Sequence, residues 1–425
     1  MHPTQTGLIG RSRNTCEDTS MSQQQHSGIE GLQVEDDFLL LHPGPVPVSE
    51  AVRTAMNEPM LSHRSPEFEA IYRSAQESLH HLFTRSTLSG RSTASDGTAL
   101  LLNGTATMGM ELAVANLVAP DDELVALVNG KFGRRFKRIA ERYCSVTTVE
   151  IEWGSAFDLN EVAAAISDDT AVVTMVHNET STGILNPVSG VGPIAREHDA
   201  LFVVDCVTSL GGDVFCIDDW CVDIAITDAQ KGLAAPPGIS GMYVTPRAAD
   251  RAVSDNAPFY QDLNWHLRKA ADNQTPFTSA IPLIRALAVA LEDIHEEGLS
   301  ARIRRHRRQS AAVREGLRRL GFDLFSTPAG PSVYSHTVTA AALPPSVRKN
   351  SATFFEAIRD RNASISGGQG HLDGLICRIS NQGVLNDEDI LRGIQTVGAV
   401  LPEMGVTVDS EAALAVAREQ LRGEW

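Results

Sequence analysis

Lysine is scarce in this chain: among 425 residues there are five, at positions 131, 137, 231, 269 and 349. Lys231 alone follows an apolar, strand-like run (Val222 to Thr227) and precedes a Gly/Pro-rich turn, Ala234-Ala235-Pro236-Pro237-Gly238. A lysine at the end of a buried strand is partly desolvated, which disfavours the ammonium form, lowers the pKa and makes the amine nucleophilic. Such an amine can form a Schiff base with a carbonyl. Upstream, Asp205 closes another apolar run, Leu201-Phe202-Val203-Val204. A carboxylate projecting from a strand end beside a reactive lysine suits a protonated ring nitrogen.

A third element precedes both. In Leu101-Leu102-Asn103-Gly104-Thr105-Ala106-Thr107-Met108-Gly109-Met110-Glu111 an apolar strand ends in a small, hydroxyl-rich turn, and a helical pattern follows (Met110, Val114, Leu117, Val118). Free N–H groups at a helix start, with threonine hydroxyls beside them, make a cup for phosphate. Taken singly, each element has a plain alternative: a solvated lysine, a capping aspartate, an ordinary Gly-Thr N-cap. Their order, phosphate cup then aspartate then lysine, is far more specific. It matches the three handles of pyridoxal 5'-phosphate (PLP): phosphate, ring nitrogen and aldehyde.

Further stretches join these in a fixed order: His42-Pro43-Gly44-Pro45, Ser62-His63-Arg64-Ser65-Pro66-Glu67-Phe68, and Asn129-Gly130-Lys131-Phe132-Gly133-Arg134-Arg135. Beyond them lie Glu179-Thr180-Ser181-Thr182-Gly183, Val204-Asp205-Cys206-Val207-Thr208-Ser209, Gln230-Lys231-Gly232 and Cys377-Arg378-Ile379. With them the chain resembles the class V PLP-dependent aminotransferases, in particular the alanine–glyoxylate and serine–pyruvate branch, from about Phe38 to about Leu401. The resemblance implies PLP fold type I: an α/β large domain with a mainly parallel, seven-stranded sheet flanked by helices, and a small C-terminal α+β domain. It implies transfer of an amino group from a small amino acid of alanine or serine type to a small 2-oxo acid such as glyoxylate or pyruvate.

The same resemblance distributes roles. Lys231 anchors PLP and shuttles the substrate proton, and Asp205 keeps the ring nitrogen protonated. Phe132 stacks on one ring face, where relatives commonly carry Trp, and Val207 presses on the other. Thr180 reaches the cofactor phenolate oxygen. Thr105, Ala106, Thr107 and Gln230 hold the phosphate; relatives usually have glycine at position 106, so Ala106 must keep φ negative. Thr278 matches a position that reaches the phosphate of a partner subunit, which implies a homodimer with sites at its interface. Arg378 binds the substrate carboxylate through its guanidinium fork, and Gly44 lies at the substrate mouth.

Within PLP chemistry two rivals stay open: a 2-aminophosphonate-type transaminase, because Arg378 suits a phosphonate as well, and a cysteine desulfurase or other lyase of the same fold. Desulfurases carry a histidine directly before the lysine, whereas here the residue is Gln230. A nicotinamide-dependent Rossmann enzyme is disfavoured, since no GxGxxG opens a helix after a strand.

A formal net charge of −17 speaks against a nucleic-acid or anionic-membrane surface. No apolar run is long enough to span a membrane, and no metal-ligand spacing stands out. The six cysteines (16, 144, 206, 216, 221 and 377) form no CxxC pair and fit free thiols in a reducing compartment, hence a cytoplasmic protein. The polar stretch 1–36 reads as a disordered extension, 37–290 as the large domain (37–60 its N-terminal segment) and 291–425 as the small one. The basic run Arg304, Arg305, Arg307, Arg308 reads as a solvated helix face.

Overall fold

The computed structural model describes residues 37–92, 96–253 and 257–423. The expected N-terminal extension and Cys16 therefore lie outside the described residues. The described residues from Leu39 onward pack as one unit.

Seven strands form the main sheet, in the spatial order Thr98–Asn103, Ile239–Val244, Ile224–Asp228, Leu201–Asp205, Thr170–Val176, Glu123–Val128 and Ser145–Glu150. All run parallel except Ile239–Val244, which is antiparallel to both neighbours. Both faces are covered, so these strands read as continuous apolar runs rather than alternating ones. Val204, Ala225 and Val173 belong to one core, and Val203, Ile224 and Val172 to the core on the other face. The helix Pro66–Arg85 shows how sequence dictates a covering layer. Ser65 caps it by accepting from the Phe68 N–H, Pro66 starts it, and Glu67 and Glu69 sit in its first turn. Its inward stripe Phe68, Tyr72, Ala75, Leu79, Leu82 then packs on the sheet.

A second sheet of five strands runs Leu39–Leu41, Ala363–Gly367, Ile376–Ser380, Val338–Ala342 and Asp323–Leu324. It has its own core, including Leu41, Ile365, Cys377, Ile379, Phe354 and Ile394. Its first strand comes from the segment grouped above with the large domain: Leu39–Leu41 lies parallel to Ala363–Ile365. The helix Ile281–Glu297, which packs in a core of the main sheet, and the helix Leu299–Arg319, which lends Ala312, Val313 and Leu317 to the core of the second sheet, are joined at Gly298, whose φ of 79° suits glycine.

The arginine run on the second of these helices is not simply solvated. Arg305 pairs with Glu297, Arg307 with Asp213 and Arg308 with Asp387. Sequence periodicity places these side chains on a helix but carries no information about the distant carboxylates they meet. The five described cysteines are free. Among the described residues no helix is long and apolar enough to cross a membrane, and no cluster of metal-ligating side chains forms.

Candidate active site

In open α/β sheets the crevice beyond the carboxyl ends of the strands collects ligands. Here Asn103, Asp205 and Asp228 all terminate strands at that edge, and a cleft of about 260 Å³ opens there. Nine expected residues line it. Thr105, Ala106 and Thr107 come from one helix start; Phe132 from the first turn of the helix Lys131–Ala140 and Thr180 from a turn; Asp205 and Val207 from one strand end, and Gln230 and Lys231 from the next.

The Lys231 amine donates to the Pro43 carbonyl at 2.8 Å. Burial lowers its pKa; Asp228 and Asp205 pull it back up, while Arg378 and Arg135 lower it further. Its turn is held from behind by Arg302, 3% exposed, which donates from Nε to Gly211 O at 3.0 Å and from Nη2 to Gly232 O at 2.8 Å. Gly44 does not line the cleft but bounds the lysine. A Cβ there would lie 2.3 Å from Lys231 Cδ, and its φ is +124°. Gly44→Ala should therefore strain the backbone and push the lysine aside, lowering turnover at least about tenfold, or 1.4 kcal/mol. Steady-state rates of the folded variant check this; a wild-type rate would show that the lysine has room to spare.

Asp205 is buried, and its Oδ1 accepts from the Val207 N–H at 2.9 Å. Burial pushes its pKa up to about 7; the Val207 bond lowers it, Glu179 and Asp228 raise it, and Arg135 lowers it. The folded value lies above the ordinary 3.8, so the native chain holds an extra proton across that window. Stability from this group is full below about pH 4 and is lost as pH rises through 7. In cofactor-free protein, Asp205→Asn should gain stability over wild type by about 1.4 kcal/mol per pH unit across the window, read by urea unfolding at pH 5 and pH 8. A pH-independent difference would contradict it.

The turn expected to hold a phosphate does open a helix. Thr105 is N-cap of the helix Ala106–Leu117, makes no side-chain cap bond, and no acidic residue stands in the first turn. Ala106 is not among the residues of positive φ, so the methyl group is accommodated. Phe132 is positioned by Glu179, a fully buried carboxylate that accepts from the N–H groups of Phe132 at 2.9 Å and Gly133 at 3.1 Å. A carboxylate at a helix start complements the dipole, and Gly130 is needed because a Cβ there would lie 2.2 Å from Glu179 Cγ.

Besides Gly44, two expected residues stand outside the cleft lining. Arg378, 5% exposed on the strand Ile376–Ser380, is tied to the rim: Nε donates to Gly367 O at 2.9 Å and Nη1 to Thr180 O at 3.2 Å. Burial brings its pKa down to about 10. Thr278 is exposed; its carbonyl accepts from Asn103 Nδ2 at 3.0 Å, and it does not line the cleft of its own chain. Asp228, Arg135, Asn178, Thr208 and Gln369 line the cleft without having been assigned a role. Arg135 donates to Thr107 Oγ1 at 2.9 Å and stacks 4.8 Å from the Phe132 ring centroid. The Phe132-Gly133-Arg134-Arg135 run was the only signal for it.

These residues fit a phosphorylated pyridine aldehyde: an amine of lowered pKa, a buried carboxyl, a helix start whose first N–H points into the cleft toward Asp228, and an aromatic face. Buried oxygens of Asn178, Gln230 and Asp228 with no protein partner add polar groups that await a ligand.

The chain matches the model of the family Aminotransferase class-V over residues 50–344. It is 34% identical to an uncharacterized aminotransferase of Methanocaldococcus jannaschii, over 91% of this chain and 98% of that protein. It is 30% identical to the L-aspartate–glyoxylate aminotransferase of Paracoccus denitrificans, over 89% and 95%. The crystal structure of an alanine–glyoxylate aminotransferase from Nostoc sp. superposes with a TM-score of 0.80 at 32% identity, covering 90% of this chain and 100% of that one.

Proposed function

The chain belongs to the class-V aminotransferase family, and from that premise we propose that it binds PLP at Lys231 and moves an amino group from a small amino acid to a small 2-oxo acid such as glyoxylate or pyruvate. The observation that carries this reading is the single cleft joining Lys231, Asp205 and the Thr105-Ala106-Thr107 cup. Relatives named for glyoxylate as acceptor support the substrate class.

Bound PLP would supply the electron sink that lets a substrate Cα lose its proton. The chain's own residues do the rest. Lys231 Nζ takes that proton and returns it, a task for which burial and Arg378 poise the amine. Asp205 would accept a charge-assisted hydrogen bond from the ring nitrogen, a partner that would offset the burial that otherwise holds its carboxyl near 7. Phe132 and Val207 would flank the ring, Thr180 would meet its hydroxyl oxygen, and the cup with Gln230 would hold the phosphate. Arg378 takes the substrate carboxylate, with Gly44 at the mouth.

In this reading residues 37–290 hold the cofactor and 291–425 form a small domain that contributes Arg378; the two cores support the division, except that Leu39 and Leu41 lie in the second core and Leu291, Ile294 and Leu299 in the first. An exposed Thr278 outside its own cleft supports a homodimer in which it serves the partner's phosphate. Free thiols support a reducing, cytoplasmic setting.

The test is a panel of amino donors with glyoxylate or pyruvate. With L-alanine and glyoxylate, glycine and pyruvate should appear in equal amounts. Release of ammonia without acceptor consumption would identify a lyase instead.

A further inference from the structure

The anion cup of this chain already holds an anion. Asp228, 4% exposed, accepts through Oδ2 from the Ala106 backbone N–H at 3.0 Å and from Gln230 Nε2 at 2.6 Å. Those are two of the donors assigned above to the cofactor phosphate. Asp228 Oδ1 and Gln230 Oε1 are buried without partners, and both residues line the cleft. A phosphate ester brings mainly acceptors. Against an ionised Asp228 it would meet like charge and an orphan acceptor in a water-poor site, which is costly.

We propose that Asp228 is a specificity-determining residue of the phosphate cup: it fills the cup as an internal carboxylate, and the cup admits a phosphate ester when Asp228 takes up one proton from solvent. The neutral acid turns an orphan acceptor into an O–H donor and removes the repulsion. This rests on the reading of the cleft as a PLP site.

Burial brings the neutral form within reach. Burial raises the Asp228 pKa to about 6, against the opposing pulls of Ala106 N–H, Gln230 and Lys231. The neighbouring strand brings Asp205, a second carboxyl. The facing strand Ile239–Val244 brings Ser240, opposite Asp228 in register, with an unpartnered hydroxyl. The helix Ala106–Leu117 brings no acidic group in its first turn. The helix Lys131–Ala140 brings Arg135, held on Thr107. Glu179 and Arg378 act one step out, on Asp205 and Lys231.

The test is calorimetric titration of cofactor-free protein with pyridoxal 5'-phosphate between pH 5 and pH 8.5, in two buffers of different ionisation enthalpy. Wild type, Asp228→Asn and Asp228→Ser are compared, with pyridoxal as the probe lacking phosphate. The ester's own ionisation is common to all three proteins and cancels in ratios of Kd. Wild type and Asp228→Asn should bind the ester about equally at pH 5. Above pH 6 wild type should weaken relative to the variant by roughly tenfold per pH unit, while taking up about one more proton. Pyridoxal should show no such dependence on residue 228. A flat Kd ratio, weaker ester binding by the asparagine variant at pH 8, or the same trend with pyridoxal overturns the proposal. If the asparagine variant does not fold, Asp228→Ser carries the same comparison. Failure of every protein to bind the ester at any pH would instead remove the PLP reading, and this inference with it.

Discussion

Lys231→Ala protein should fold and lose amino transfer by at least about 10²–10⁴-fold, the usual worth of a positioned acid–base group, before loss of the covalent anchor is added. Geometry separates this lysine from the other four. Lys137 and Lys269 pair with Glu141 and Asp272, Lys349 is exposed, and Lys131 borders a different surface hollow. Lys231 alone has its amine in the cleft, pushed toward the neutral form by burial. Borohydride reduction of PLP-loaded protein followed by peptide mapping should label Lys231. A label on any other lysine, or a Lys231→Ala variant with near wild-type turnover, would overturn the assignment. Lys231→Arg should be nearly as inactive, because a guanidinium neither condenses with an aldehyde nor gives up its proton at neutral pH.

Much of this site was legible because its chemistry sits where local sequence is loudest. Strand ends announce themselves as the last polar residue after an apolar run, and Asp205 and Lys231 stand there or just beyond. A Gly-Thr turn before a helical pattern gives the cup. The alternation of apolar runs and helical stretches gives the parallel sheet. What stayed hidden depends on distance. Leu39–Leu41 pairs with residues 363–365, a contact that no local period encodes. Asp228 was written in the same run as Lys231, yet its meaning arises only when Ala106, from another strand's end, closes on it. Arg135 reads as one more cation on a basic helix until Thr107 is seen beside it. Gly44 and Arg378 were found through resemblance; the first is explained only by the lysine packed against its α-carbon, the second by its ties to the rim.

Replacing Arg378 should raise KM for amino acid and oxo acid together while leaving the resting cofactor spectrum intact. Its Nε and Nη1 are spent on Gly367 O and Thr180 O, and Nη2 has no partner among the described residues. The two backbone bonds fix the plane of the guanidinium, so the free edge is pre-oriented and little rotamer entropy is lost when a carboxylate arrives. Losing a partly buried, hydrogen-bonded ion pair costs about 2–5 kcal/mol, or roughly 30-fold to several thousand-fold in apparent affinity. Arg378→Lys keeps the charge but not the fork, and should fall between wild type and Arg378→Ala. A second effect has a defined sign. The Arg378 charge lowers the Lys231 pKa, so its removal should raise that pKa and move the acid limb of the kcat profile to higher pH. A purely structural role for Arg378 would disturb cofactor binding and stability without that shift. Unchanged KM values in Arg378→Ala, measured with alanine and glyoxylate, would move the carboxylate site elsewhere in the cleft.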